Sequence, residues 1–198
     1  MGSDTLVLGL DTSAAHCAAA LLSGDRVLSV HTEEMGRGQA ERLMPLLEEV
    51  LAEGGAGWRD LSRIGTGVGP GNFTGIRIAV SAARGLALAL DIPAIGVSTF
   101  DAISLATEER HIPAVPAPRE QVYIRPDGAA PRLVTLEEAE RLGKPLAYPP
   151  EPGQLALAIA RAATTADVPA PAPAPLYIRP ADAAPSRDAP PVILDDDT

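Results

Sequence analysis

Little in this sequence can stack, cross-link or neutralise phosphate. Aromatic residues make up 3% of the 198, so a core must be built from aliphatic side chains in close contact. The single cysteine, Cys17, cannot make an internal disulfide, and its apolar surroundings read as a small buried hydrophobe in a reducing compartment. Lys and Arg number 16 against 26 Asp and Glu, a formal charge of −10. That balance argues against a broad nucleic-acid surface, whose affinity rests on cations neutralising phosphates. The three histidines, His16, His31 and His111, are scattered and have no cysteine beside them, so no metal site is expected. No apolar run approaches the ~20 residues that span a bilayer, and Met1 to Asp4 have no secretory character, which predicts a cytoplasmic protein with no membrane partner.

What is present is 46% hydrophobic residues, enough for a core. Leu6–Leu10, Cys17–Leu22 and Val27–His31 are apolar runs, the last two flanking the turn cluster Ser23-Gly24-Asp25, and predict three consecutive antiparallel strands. From Gln39 to Glu53 the apolar residues recur at helical spacing and Gly54-Gly55 supplies a stop. Pro45 falls inside that helix, so its regular part is expected to begin late. A strand at Ile64–Val68, a helix at Thr74–Leu90, a strand at Ile92–Val97 and a helix capped by Ser98 follow. After Arg110 prolines cluster, and the expected elements are a hairpin strand at Gln121–Arg125, a short helix opened by Thr135, and a helix over Leu155–Ala163 introduced by Pro152. Pro169–Pro175 alternates with alanine as a stiff extended linker, Leu176–Pro180 is a last strand candidate, and Asp195–Asp197 is an acidic end. The division this suggests is 1–104 as a well-formed subdomain and 105–198 as a smaller, irregular one.

The most informative stretch is Gly67–Leu88, a glycine-rich turn opening into a helix of small and apolar residues. Such a turn before a helix suits phosphate. Here, however, Asn72-Phe73-Thr74-Gly75 stands where a Walker A loop needs Lys followed by Ser or Thr, and the Rossmann spacing is also missing. The remaining reading is a tight strand-to-helix connection. Asp11-Thr12-Ser13 at the end of the first strand could face magnesium and phosphate, or simply be an Asx turn that starts the hairpin, the reading that three residues favour. No Gly-x-Ser-x-Gly elbow occurs, and no catalytic residue is assigned. Gly75, Ala79, Ala82, Ala83 and Leu86 recur at three-to-four-residue spacing, which lets a second helix approach closely.

Taken together, Asp11-Thr12-Ser13, the helix Glu41-Arg42-Leu43-Met44-Pro45-Leu46-Leu47, the run Gly67-x-Gly69-Pro70-Gly71-x-Phe73-Thr74-Gly75-x-Arg77 and Ile95-Gly96-Val97-Ser98-Thr99 resemble the TsaB (YeaZ) family, with Val122-Tyr123 and Leu176-Tyr177-Ile178-Arg179 as weaker later matches. The resemblance implies an α/β, actin-like ATPase fold of the sugar kinase, heat-shock and actin group, with two related subdomains and the second reduced. It implies a non-catalytic role in adding threonylcarbamoyl to the adenosine beside the anticodon of tRNAs reading A-starting codons. The partners it implies are a TsaD-like catalytic subunit, a TsaE-like ATPase and, when alone, a second copy, with tRNA met only indirectly. Leu46, Leu47 and Val50 of the first helix, with Gly75, Ala79, Ala82, Ala83 and Leu86 of the second, are the expected partner surface, although each helix must also cover the sheet. No cofactor is assigned to the chain itself, while ATP or ADP has a place at the interface of the complex. Where the family has Asp-Ala-Arg, this chain has Pro116-Ala117-Pro118-Arg119, which removes a carboxylate from the loop facing the interdomain cleft. The competing readings are a nucleotide-dependent kinase or ATPase of the same fold and, behind it, a peptidase.

Overall fold

In the computed structural model, residues 5–178 are described. The first sheet has the order β3-β2-β1-β4-β5, formed by β1 (Leu6–Asp11), β2 (His16–Ser23), β3 (Arg26–Glu34), β4 (Arg63–Gly67) and β5 (Ala94–Val97). β1, β2 and β3 pair antiparallel in sequence, as expected, whereas β4 and β5 add parallel to β1 and to each other. Parallel neighbours need crossovers, and these are α1 (Gln39–Glu53), between β3 and β4, and α2 (Phe73–Leu90), between β4 and β5.

Strand residues alternate between two buried faces. Leu8, Leu10, Cys17, Ala19, Leu21 and Ile64 meet α1 and α2, while Val7, Ala18, Ala20 and Leu22 meet α5 (Pro152–Thr165) on the other side. Covering on both faces is why β1 and β2 read as continuous apolar runs rather than alternating ones. α5 lies flush on the sheet because β1 and β4 present glycine there: a Cβ at Gly9 would stand 2.4 Å from the Ala156 carbonyl oxygen.

That contact corrects the division expected from sequence. α5 falls within 105–198 but packs in the first core, so what stands apart is the sheet β8-β7-β6-β9 between α3 (Thr99–Ala106) and α5. Its strands are β6 (Ile112–Ala117), β7 (Gln121–Ile124), β8 (Arg132–Thr135) and β9 (Leu146–Ala147). The short helix α4 (Leu136–Glu140) follows β8 and is capped as predicted, with Thr135 Oγ1 accepting from Glu138 N.

Three further expectations change. α1 is regular from Gln39 onward with Pro45 inside it and exposed. The linker is extended yet held: Pro173 is buried beside Gly96, and Leu176 donates its N–H to the Val68 oxygen (2.8 Å) without forming a strand. α2 is long and apolar enough to cross a membrane by length and composition, with 18 residues at a mean hydropathy of 1.4. In this fold its inner face, Ile76, Ala79, Val80 and Ala83, is buried, and Arg77 and Arg84 stand outside. Arg179, Pro180 and Asp195–Asp197 lie outside the described residues.

Candidate functional site

The glycine turn and the Asp11–Ser13 turn are one structure. Asn72 N donates to Ser13 O (2.6 Å), and Thr12 Oγ1 donates to Gly75 O (2.6 Å). A Cβ at Gly75 would lie 1.8 Å from the Thr12 oxygen, and one at Gly71 would lie 2.4 Å from the Ser13 oxygen. These glycines therefore admit the chain's own backbone. Gly67 makes room in the same way for the Asp11 carboxylate, and Gly69 takes φ +89. The Gly69 and Pro70 oxygens accept from Thr99 N and Oγ1, which ties the turn to the start of α3. Asn72 caps α2 by accepting from Gly75 N at 2.9 Å, a signal that the sequence carried but that the expected start at Thr74 passed over.

Asp11 organises its own turn. Its Oδ1 accepts from Ser13 N (2.9 Å) and Ser13 Oγ (2.8 Å) and lies 2.8 Å from His16 Nε2. This is the Asx turn that the residue pattern favoured. Its Oδ2, with Thr66 Oγ1, is buried and unpaired among the described residues, yet no group of three or more His, Cys, Asp or Glu that could hold a metal is found among them. Burial pushes the Cys17 thiol up to about 11, which suits a core side chain and not a nucleophile.

Beyond the turn, Arg77 lies across two aromatic rings. Its guanidinium carbon is 3.8 Å from the Phe73 ring centre and its Nε donates to the Tyr177 hydroxyl (2.8 Å), while the two rings are 5.2 Å apart. Phe73 and Tyr177 are each about half exposed, and Thr74 beside them is exposed. Tyr177 was absent from the expected site residues, although the Leu176-Tyr177-Ile178 run was its signal.

The expected partner surface moves. Leu46, Leu47, Val50, Ala79 and Ala83 have no exposed area, and Gly75 is buried, because the sheet takes up that face of both helices. Ala82 and Leu86 are only partly covered. The face left outward carries Met44, Phe73, Arg77, Ser81, Arg84 and Leu88, the last 86% exposed. Between α1 and α2 runs a groove of about 390 Å³, with Met44, Ile78, Ser81 and Ala82 along it.

A larger cleft, about 770 Å³, opens between the first sheet and the small one. Ser13, His16, Asn72 and Thr99 line one wall, and Val115 to Pro118, Tyr123 and Tyr148 face them. The loop that lost its carboxylate thus does reach the cleft, and brings proline there.

The family described as TsaD, tRNA N6-adenosine threonylcarbamoyltransferase, matches residues 27–175. The tRNA threonylcarbamoyladenosine biosynthesis protein TsaB of Haemophilus influenzae is 36% identical over 123 residues, covering 59% of this chain and 51% of that protein. TsaB of Escherichia coli is 38% identical over 94 residues, covering 48% and 40%. The chain thus spans about half, or less, of the length of these curated relatives. Among solved structures, an uncharacterized protein with similarity to peptidase YEAZ from Pseudomonas aeruginosa superimposes with a TM-score of 0.70 at 25% identity, over 88% of this chain and all of that one. YeaZ from the same organism gives 0.63 at 27% identity, over 79% and 90%. Sequence and fold agree, and the chain belongs to this family, within its TsaB (YeaZ) group.

Proposed function

We propose that this chain is a non-catalytic subunit in the threonylcarbamoyl modification of tRNA, and that it works by binding and activating a TsaD-like catalytic subunit in the cytoplasm. The observation that carries this reading is the outward side of α1 and α2, where the large apolar side chains Met44, Phe73 and Leu88 stand exposed, the last at 86%, beside Arg77 and Arg84. An apolar surface left uncovered on a folded domain marks a contact site. The groove between α1 and α2, lined by Met44, Ile78 and Ala82, is the surface offered, with exposed Leu88 farther along α2, and a second copy of the chain would use the same face in the absence of its partner. The acidic balance of the chain supports leaving tRNA to that partner. The hydroxyls of Thr12 and Ser13 are engaged within the chain, which supports a role without nucleotide chemistry at that turn. ATP or ADP then belongs to the complex, at its interface or on a TsaE-like ATPase.

The test is reconstitution of the modification from TsaD, TsaE, threonylcarbamoyl-adenylate and tRNA, with and without this chain. Dependence on the chain is expected, as is its loss in Ser81→Arg and Leu88→Asp, both at exposed positions, with the fold intact by circular dichroism. Undiminished product without the chain refutes the proposal. Tight ATP binding by the isolated chain would favour the kinase reading instead.

A further inference from the structure

The interdomain cleft is unusual for what does not line it. Asp, Glu, Lys and Arg make up 21% of the chain, yet among the described residues none of them lines this 770 Å³ space, and its one imidazole, His16, is turned to Asp11 Oδ1 (2.8 Å). A nucleoside triphosphate would find no Lys or Arg there among the described residues, and an ion moved into an apolar site without a countercharge is heavily penalised. Six prolines, Pro70, Pro116, Pro118, Pro149, Pro150 and Pro152, line the cleft instead. Proline rings are apolar and rigid, so they lose almost no conformational freedom when a ligand packs on them. Phe73, Tyr123 and Tyr148 add half of the six aromatic residues in the whole chain to this one place.

Apart from the His16 imidazole, the polar side chains of the lining are hydroxyls and amides. Gln39 donates to Met35 O through Nε2, which leaves its side-chain oxygen without a partner among the described residues. Asn72 accepts from Gly75 N through Oδ1, which leaves its amide N–H groups in the same position. One free acceptor and one free donor therefore lie on the same wall of a space whose size suits a small molecule.

We propose that this cleft binds an uncharged, flat aromatic molecule, with its ring against the proline wall and a hydrogen-bonding edge toward Gln39 and Asn72. Binding in the cleft does not depend on the outer face of α1 and α2 and requires no partner protein.

Three indole compounds of nearly equal size separate the charge states: indole-3-acetamide is neutral, indole-3-acetate an anion and tryptamine a cation. Ligand-observed NMR titration of the full chain is expected to show saturable binding of the acetamide, at least tenfold tighter than either ion. Ala14→Glu and Ala117→Glu place a carboxylate on opposite walls, at an exposed and a half-exposed position. Each should weaken the acetamide and make tryptamine the better ligand, with an unchanged circular dichroism spectrum. Equal binding of all three compounds, no saturable binding of the acetamide, or indifference to both substitutions would overturn the proposal. So would binding of magnesium-ATP that the same two variants abolish.

Discussion

The first sheet and the small sheet solve the same packing problem with unequal means. β1 and β2 are buried on both faces, and helices lie close on them where glycine removes the last side chain in the way. The small sheet has a core of Ile112, Ala114, Val122, Ile124 and Ala139, and both its ends are short. It is held to the rest by the cluster of Phe100, Ile103 and Val115 and by an ion pair from Arg125 to Asp101 (2.6 Å). Stability within one chain is therefore expected to be uneven, with the small sheet opening first. The cleft lies along the boundary between the two regions, and the α1–α2 face belongs wholly to the stronger one.

The largest effect should come from breaking the stronger region at its tightest point. Gly75→Ala sets a methyl group 1.8 Å from the Thr12 oxygen, a backbone atom that cannot swing away. A loss of about 3 kcal/mol or more is expected for such overpacking, read as a lower urea midpoint for the whole chain. A near-unchanged midpoint would mean that the two turns are not locked together as described.

Next comes Ile124→Ala, which removes a fully buried side chain from the small sheet. The expected cost is about 2–4 kcal/mol, confined to one region. Cys17 supplies an internal control, because its buried thiol reacts only when the first core opens. Hydrogen exchange at the amides of β6 and β7 should accelerate while alkylation of Cys17 stays slow. Faster alkylation in this variant would show that the two regions unfold as one.

Acid should act on the link between them. Partial burial raises the Asp101 carboxyl, but hydrogen bonds from Arg125 and Ser98 outweigh it and hold the group below its usual range. A carboxyl depressed in the folded state stabilises above its unfolded value near 3.9, and that contribution fades as pH falls through the lower folded value. Exchange in β6 and β7 should rise below about pH 4, earlier than in β1 and β2. Asp101→Asn should weaken the link at neutral pH and remove this acid step. Survival of the step in that variant would assign it to other carboxylates.

What the sequence disclosed divides along the same line. The strong region was legible because continuous apolar runs, helical periodicity and the Ser98 cap all agreed, so its element order was expected correctly. The helix faces were not legible. Leu46 and Ala79 carry the same apolar or small character as Met44 and Ala82, and only the position of the sheet decides which pair is covered. α5 was assigned to the wrong region for a related reason: its return spans 147 positions from Gly9 to Ala156 and 98 from Gly65 to Ala163, contacts that no local pattern encodes. The Asp11 turn was read well because an Asx turn is local, whereas its docking on Gly71 and Gly75 spans more than 50 residues and left no local mark. Tyr177 escaped for the same reason, since its partner Arg77 is 100 positions away.

The smallest effect should sharpen the contrast by strengthening the weak side. The turn joining β6 to β7 places Arg119 at φ 62 and Glu120 at φ 54, both left-handed without a glycine. Each such residue costs about 1 kcal/mol, because Cβ crowds the following carbonyl oxygen. Glu120→Gly relieves that crowding at an exposed position and leaves the cleft wall at Pro116–Pro118 untouched. Glycine also enlarges the freedom of the unfolded chain, so a net gain of about 0.5 kcal/mol is the expected result. Slower exchange at β7, with Cys17 alkylation and the amides of β1 unchanged, would place the gain in the small sheet alone. Faster exchange would show that Glu120 contributes an interaction worth more than the strain of its backbone.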